Sequence, residues 1–150
     1  MRTLLAAFLL MLNVAAHAGE ASKTITISDA WVRASLGKVS TTAAYVKIEN
    51  HGTKEDKLLS VSTPAAAMAS VHNSVTNDAG VVQMLPVMAL SVKPGETVAL
   101  TPGGLHIMVM NVKEPLKAGA TVPLTLKFEQ AGEITVEAEV RGLDGKPLKR

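Results

Sequence analysis

An imidazole and two thioethers alternate along Gly103-Gly104-Leu105-His106-Ile107-Met108-Val109-Met110. On a strand, successive side chains leave opposite faces, so His106, Met108 and Met110 share one face and Ile107 and Val109 the other. Either face could be the core. If the His/Met face meets solvent or a cleft, His106 and Met108, with Cα atoms about 7 Å apart, can converge on one small ion. Thioether sulfur is a soft donor that hard cations ignore, and imidazole suits copper, zinc, iron and nickel; Cu(I) fits both.

More donors of the same kind lie upstream. Beyond the first residues, every methionine falls in one window, as Met68, Met84, Met88, Met108 and Met110, and His72 and His106 lie in it too. Methionine is also a good filler of irregular gaps, so packing is the competing reading for any one of them. The clustering favours ligation for the set His72, Met84, His106 and Met108. His72 is expected at the end of a strand, Met84 just past a hairpin, and His106 with Met108 at the opening of a strand, where loops gather and sites are built. Two neutral imidazoles and two thioethers, with no anionic ligand, suit a monovalent soft ion better than Zn(II) or Mg(II). Met88 and Met110 are expected in the core or packed behind the site. Met68 would flank it, and His51 belongs to a turn.

Other chemistries find little support. Asp78 belongs to a turn, Glu129, Glu133, Glu137 and Glu139 read as polar strand faces, and no serine stands in a G-x-S-x-G elbow. Gly103-Gly104 lacks the lysine and following helix of a phosphate loop. The sequence holds no cysteine, which removes disulfides, thiolate metal sites, a nucleophilic thiol, a lipid-modified N-terminal cysteine and the blue-copper type of electron-transfer site. Lys and Arg number 15 against 13 acids; losing Arg2 with a leader leaves 14 − 13 = +1, too weak a balance for a nucleic-acid partner. Trp31, Tyr45 and Phe128 are the aromatics beyond the leader, too few for a stacking platform.

The elements that must position the donors read as strands. Met1-Arg2, the apolar run Leu4 to Leu12 and the small-residue site Ala16-His17-Ala18 form a secretory signal, giving a leader over 1–18 and one domain over 19–150. The apolar run is shorter than the roughly 20 residues that span a bilayer, so no stable membrane insertion is expected. Short β-branched or alternating runs follow: Thr24 to Ile27, Ala30 to Arg33, Thr42 to Glu49, Lys57 to Ser62, Ala66 to His72, Val81 to Met84, Thr97 to Leu100, the His106 run, Val122 to Glu129 and Glu133 to Arg141. Asn50-His51-Gly52, Asn77-Asp78-Ala79-Gly80, Pro94-Gly95 and Pro102-Gly103-Gly104 punctuate them. Turn signals roughly ten residues apart and no long 3.6-residue period predict an all-β sandwich or barrel. The tail Gly142 to Arg150 reads as a loose end.

At this level of detail the chain resembles the PCu(A)C family of periplasmic copper chaperones. The family's pattern is a His, often followed by Met, ten residues, a Met, twenty-one residues and H-x-M. His72-Asn73, a ten-residue spacer, Met84, a spacer of twenty-one and His106-Ile107-Met108 reproduce it. Leu100-Thr101-Pro102-Gly103-Gly104-Leu105 and Pro115-Leu116-Lys117-Ala118-Gly119 are similar to the family as well. The resemblance implies a cupredoxin-like Greek-key barrel that holds Cu(I) through His72, Met84, His106 and Met108. It also implies delivery to the Cu(A) centre of a terminal oxidase, often beside a Sco-type protein. Asn73 stands where the family often has Met, and Leu143 to Arg150 lacks the His- and Met-rich tail of some members, so extra Cu(II) capacity there is not expected.

The expectation is therefore a monomeric periplasmic copper carrier, not an enzyme. A rival class is a histidine-brace copper enzyme, which requires cleavage after Ala16 to expose His17 as the first residue. A third is a metal-free interaction sandwich with a methionine-filled core.

Overall fold

The computed structural model describes residues 24–148, and every regular element among them is a strand. In chain order these are β1 (Ile25–Arg33), β2 (Thr41–Asn50), β3 (Asp56–Ser62), β4 (Ala66–Thr76) and β5 (Val82–Pro86). They continue with β6 (Leu90–Val92), β7 (Thr97–Ala99), β8 (Leu105–Val112), β9 (Thr121–Phe128) and β10 (Gly132–Arg141). The expected leader over 1–18, with His17, lies outside the described residues. Alternation is clear along β8, where Ile107 and Val109 are fully buried and Met108 and Met110 only partly. The aliphatic face is the core, which turns the His/Met face outward.

Seven strands close a barrel in the order β4-β8-β2-β1-β10-β9-β3, with Val61 on β3 paired to Ala69 on β4 at the seam. β5 extends the sheet beyond β4, β6 adds to β3 and β7 to β2. β8 sits between β4 and β2, far from both in sequence, so the fold is the expected all-β, cupredoxin-like Greek-key barrel. Its interior is filled by Val32, Ile48, Leu58, Ile107, Val109, Leu124, Leu126, Phe128 and Val140, as a barrel this small requires.

Four departures from the sequence reading bear on the site. Thr24 to Ile27 and Ala30 to Arg33 belong to one strand, interrupted by a bulge: Ile27 pairs with Ile48, but after Asp29, at φ 48°, Trp31 pairs with Tyr45, one residue out of step. The extra residue reverses the inward phase, so Val32 faces the core while Arg33 lies on the other face with Trp31, whose indole is covered by Tyr45, Arg141 and the turn at Gly145. β4 continues to Thr76, which makes His72 a mid-strand residue held by neighbours on both sides. The short strand β6 has too few residues to show a period. The tail is also not loose through 148. The Gly142 amide donates to the Lys146 carbonyl (3.0 Å), and Gly145, at φ 75°, lies against the Trp31 indole, where a Cβ would meet Cη2 at 3.0 Å.

Candidate metal centre

The outward face of β4 and β8 is a ladder of side-chain pairs. His72 stands opposite His106, Ser70 opposite Met108, and Met68 opposite Met110. The imidazole centroids are 6.1 Å apart and the rings 24° from parallel. Met84 joins from β5 by pairing with Ser74, two positions beyond His72 on the same face of β4. Diagonal neighbours of this kind lie about 7–8 Å apart, within reach of a long flexible side chain.

His106 is 5% exposed and its orientation is fixed locally. Its Nδ1 lies 2.9 Å from the Gly104 carbonyl oxygen. A carbonyl can only accept, so Nδ1 carries the proton and Nε2 is left with its lone pair free. That Nε2 is buried and has no hydrogen-bond partner among the described residues. A buried polar atom without a partner costs about 1–3 kcal/mol, an expense that a bound ion removes. His72 is held more loosely, with Nδ1 3.4 Å from the Ser70 carbonyl and 3.5 Å from its hydroxyl.

Met84, His106 and Met108 line one open cleft of about 610 Å³, together with Ser74, Pro102 and Gly103 on one side and Arg33, Ala43, Tyr45 and the 34–39 loop on the other. His72 does not line the cleft; it approaches from the β4 side of His106. Met84 is 57% exposed, and Met88, at 82%, is neither core nor close packing, contrary to expectation. Methionines close in sequence therefore separate in space. Met110 is half-buried on the outward face beside the exposed Met68, and both belong to the ladder.

No group of three or more His, Cys, Asp or Glu placed to hold a metal occurs among the described residues. Donors beyond the imidazole pair are thioethers on the same outward face, a type that suits a soft monovalent ion and not a hard dication. Carboxylates with displaced pKa values sit elsewhere. Glu49 is lowered by its hydrogen bond to Lys47, and Asp144 by the backbone amide of Lys146. The charged residue of the cleft is Arg33, which the sequence reading placed only as the end of a strand run.

A closed β-barrel carrying imidazoles and thioethers on its outer face is a cupredoxin-like domain of the PCuAC type. The chain belongs to the LpqE-like family, whose family model matches residues 25–140. It is 30% identical over 127 residues to Lxx21020 of Leifsonia xyli subsp. xyli, covering 85% of this chain and 75% of the relative. Among solved structures it is similar to the copper-bound PCuAC domain of PmoF2 (26% identity, TM-score 0.68, 79% of this chain and 93% of that one). It is also similar to the CuI form of DR1885 from Deinococcus radiodurans (29% identity, TM-score 0.61, 82% and 81%). The family is named for a lipoprotein, yet this sequence has no cysteine to carry a lipid.

Proposed function

We propose that the protein is a copper chaperone, not an enzyme, that binds Cu(I) through His72, Met84, His106 and Met108. The observation that carries this reading is the opposed imidazole pair, in which a carbonyl fixes His106 and leaves its Nε2 unpartnered on a ring that shares a cleft with Met84 and Met108. The copper-bound PmoF2 domain and the CuI form of DR1885 support it.

The cargo ion would be held by four neutral donors at the barrel surface. Uncharged ligands leave the positive charge of Cu(I) uncompensated, which suits release to an acceptor that offers thiolates. Ligand exchange then needs no change in the barrel, since the donors sit on paired strands whose inner faces are packed. The acceptor is the Cu(A) subunit of a terminal oxidase or a Sco-type protein, met in the periplasm after export and cleavage of the leader.

An anaerobic titration of Cu(I) against a chromophoric chelator, run beside His72→Ala and Met84→Ala, tests the reading. One tight equivalent that each substitution weakens is the expected result. Absence of competition with the chelator would leave the histidines and methionines as packing.

A further inference from the structure

The register of the outward face places a cation in the row that carries Met108. Met108 on β8 pairs with Ala43 on β2, and continuing the register Trp31↔Tyr45, Val32↔Ala44 by one residue sets Arg33 of β1 beside Ala43. Arg33 is thus two strand spacings, about 10 Å, from Met108, with only a methyl group between them. Both line the same cleft.

Arg33 Nε is buried and has no hydrogen-bond partner among the described residues. Glu139, the carboxylate on the adjoining strand, is engaged instead by Arg141 at 3.1 Å, and Arg141 in turn lies over Trp31. No acidic residue lines the cleft; its other polar groups are neutral hydroxyls, the phenol and the imidazole. A guanidinium whose Nε is unpartnered and which no carboxylate among the described residues pairs, in a partly enclosed and largely apolar cleft, is a strong attractor of one negatively charged group.

We infer that Arg33 is the recognition residue for the acceptor's cysteine thiolate at the moment of copper transfer. The inference rests on the copper-carrier reading and adds to it the chemistry of the docking partner. The cleft is open beside Met84 and Met108, so an entering thiolate meets the guanidinium and the copper site from the same side. The step is a ligand exchange. A Cu–S bond to the incoming thiolate forms, a bond to one thioether of this chain breaks, copper remains Cu(I), and the proton of the entering thiol has gone to solvent. The same cation opposes a second positive charge nearby, which disfavours Cu(II) over Cu(I) in this site.

The test compares transfer of Cu(I) from the wild-type protein, Arg33→Gln and Arg33→Lys to two acceptors: a synthetic peptide with two cysteines, and neocuproine, a neutral diimine. Arg33→Gln is expected to slow transfer to the dithiol peptide about tenfold, the low end of electrostatic steering, and to flatten its dependence on ionic strength. Transfer to neocuproine and equilibrium Cu(I) affinity should change less than twofold, and Arg33→Lys should restore much of the rate. Equal slowing toward both acceptors, or no slowing toward either, overturns the role of Arg33 while leaving the carrier reading intact. A wild-type protein that binds no Cu(I) removes both.

Discussion

His72 and His106 face each other across the β4–β8 pair, centroids 6.1 Å apart, but only His106 is locked by a short bond, 2.9 Å from Nδ1 to the Gly104 carbonyl. One ring is a fixed post and the other an adjustable arm. His106→Ala should therefore lower Cu(I) affinity by about 100-fold or more, at least the loss that follows removal of an orienting partner of a metal ligand. His72→Ala should cost less. Chelator competition on folded, monodisperse samples measures both, and equal affinity in the wild type and His106→Ala would rule out Nε2 as a ligand.

The thioethers can be separated from their bulk. Met84→Leu and Met108→Leu keep volume and apolarity, so the stability change should stay under about 1.5 kcal/mol. For the exposed Met84 it should be within about 0.5 kcal/mol. Cu(I) affinity should fall in both. Met88→Leu, on a side chain 82% exposed and outside the cleft, should change neither quantity and serves as the control.

The converse experiment lies one residue away. Ile107 is completely buried between His106 and Met108 but faces the barrel interior. Ile107→Ala should destabilise the fold by about 2–5 kcal/mol through lost burial and a cavity. Copper affinity per folded molecule should be unchanged. A combined denaturant and copper titration distinguishes the two effects.

The turn after β10 gives a strain test. Gly145 has φ 75° and its missing Cβ would stand 3.0 Å from Trp31 Cη2. Gly145→Val should cost at least about 1–2 kcal/mol for the left-handed backbone alone, with the clash on the indole added. Near-ultraviolet circular dichroism of Trp31 should change, and a spectrum identical to wild type would mean the turn does not rest on the ring.

Much of this was legible in the sequence because alternation records which face is dry. Ile107 and Val109 against His106 and Met108 is a period of two, and so is most of Thr42 to Glu49. The outward phase of Arg33 was not legible, since it depends on one extra residue at Ser28-Asp29 that reads as a turn when it is a bulge inside β1. The opposition of His72 to His106 was equally hidden: sequence spacing says nothing of which strands become neighbours, and β4 meets β8 across a long intervening stretch. Met88 failed as core because nearness along the chain was taken for nearness in space.

The parallel pairing of β1 with β10, through Trp31↔Glu139, Val32↔Val140 and Arg33↔Arg141, has a mechanical meaning. In parallel neighbours the chain enters one strand and leaves the other at opposite ends. Tension applied between the two chain directions therefore pulls these strands lengthwise past each other. The hydrogen bonds of the pair are loaded together, as in a lap joint, instead of opening one at a time like a zipper. Arg33 is part of that joint, so one side of the cleft is anchored in strands that a pull loads in shear.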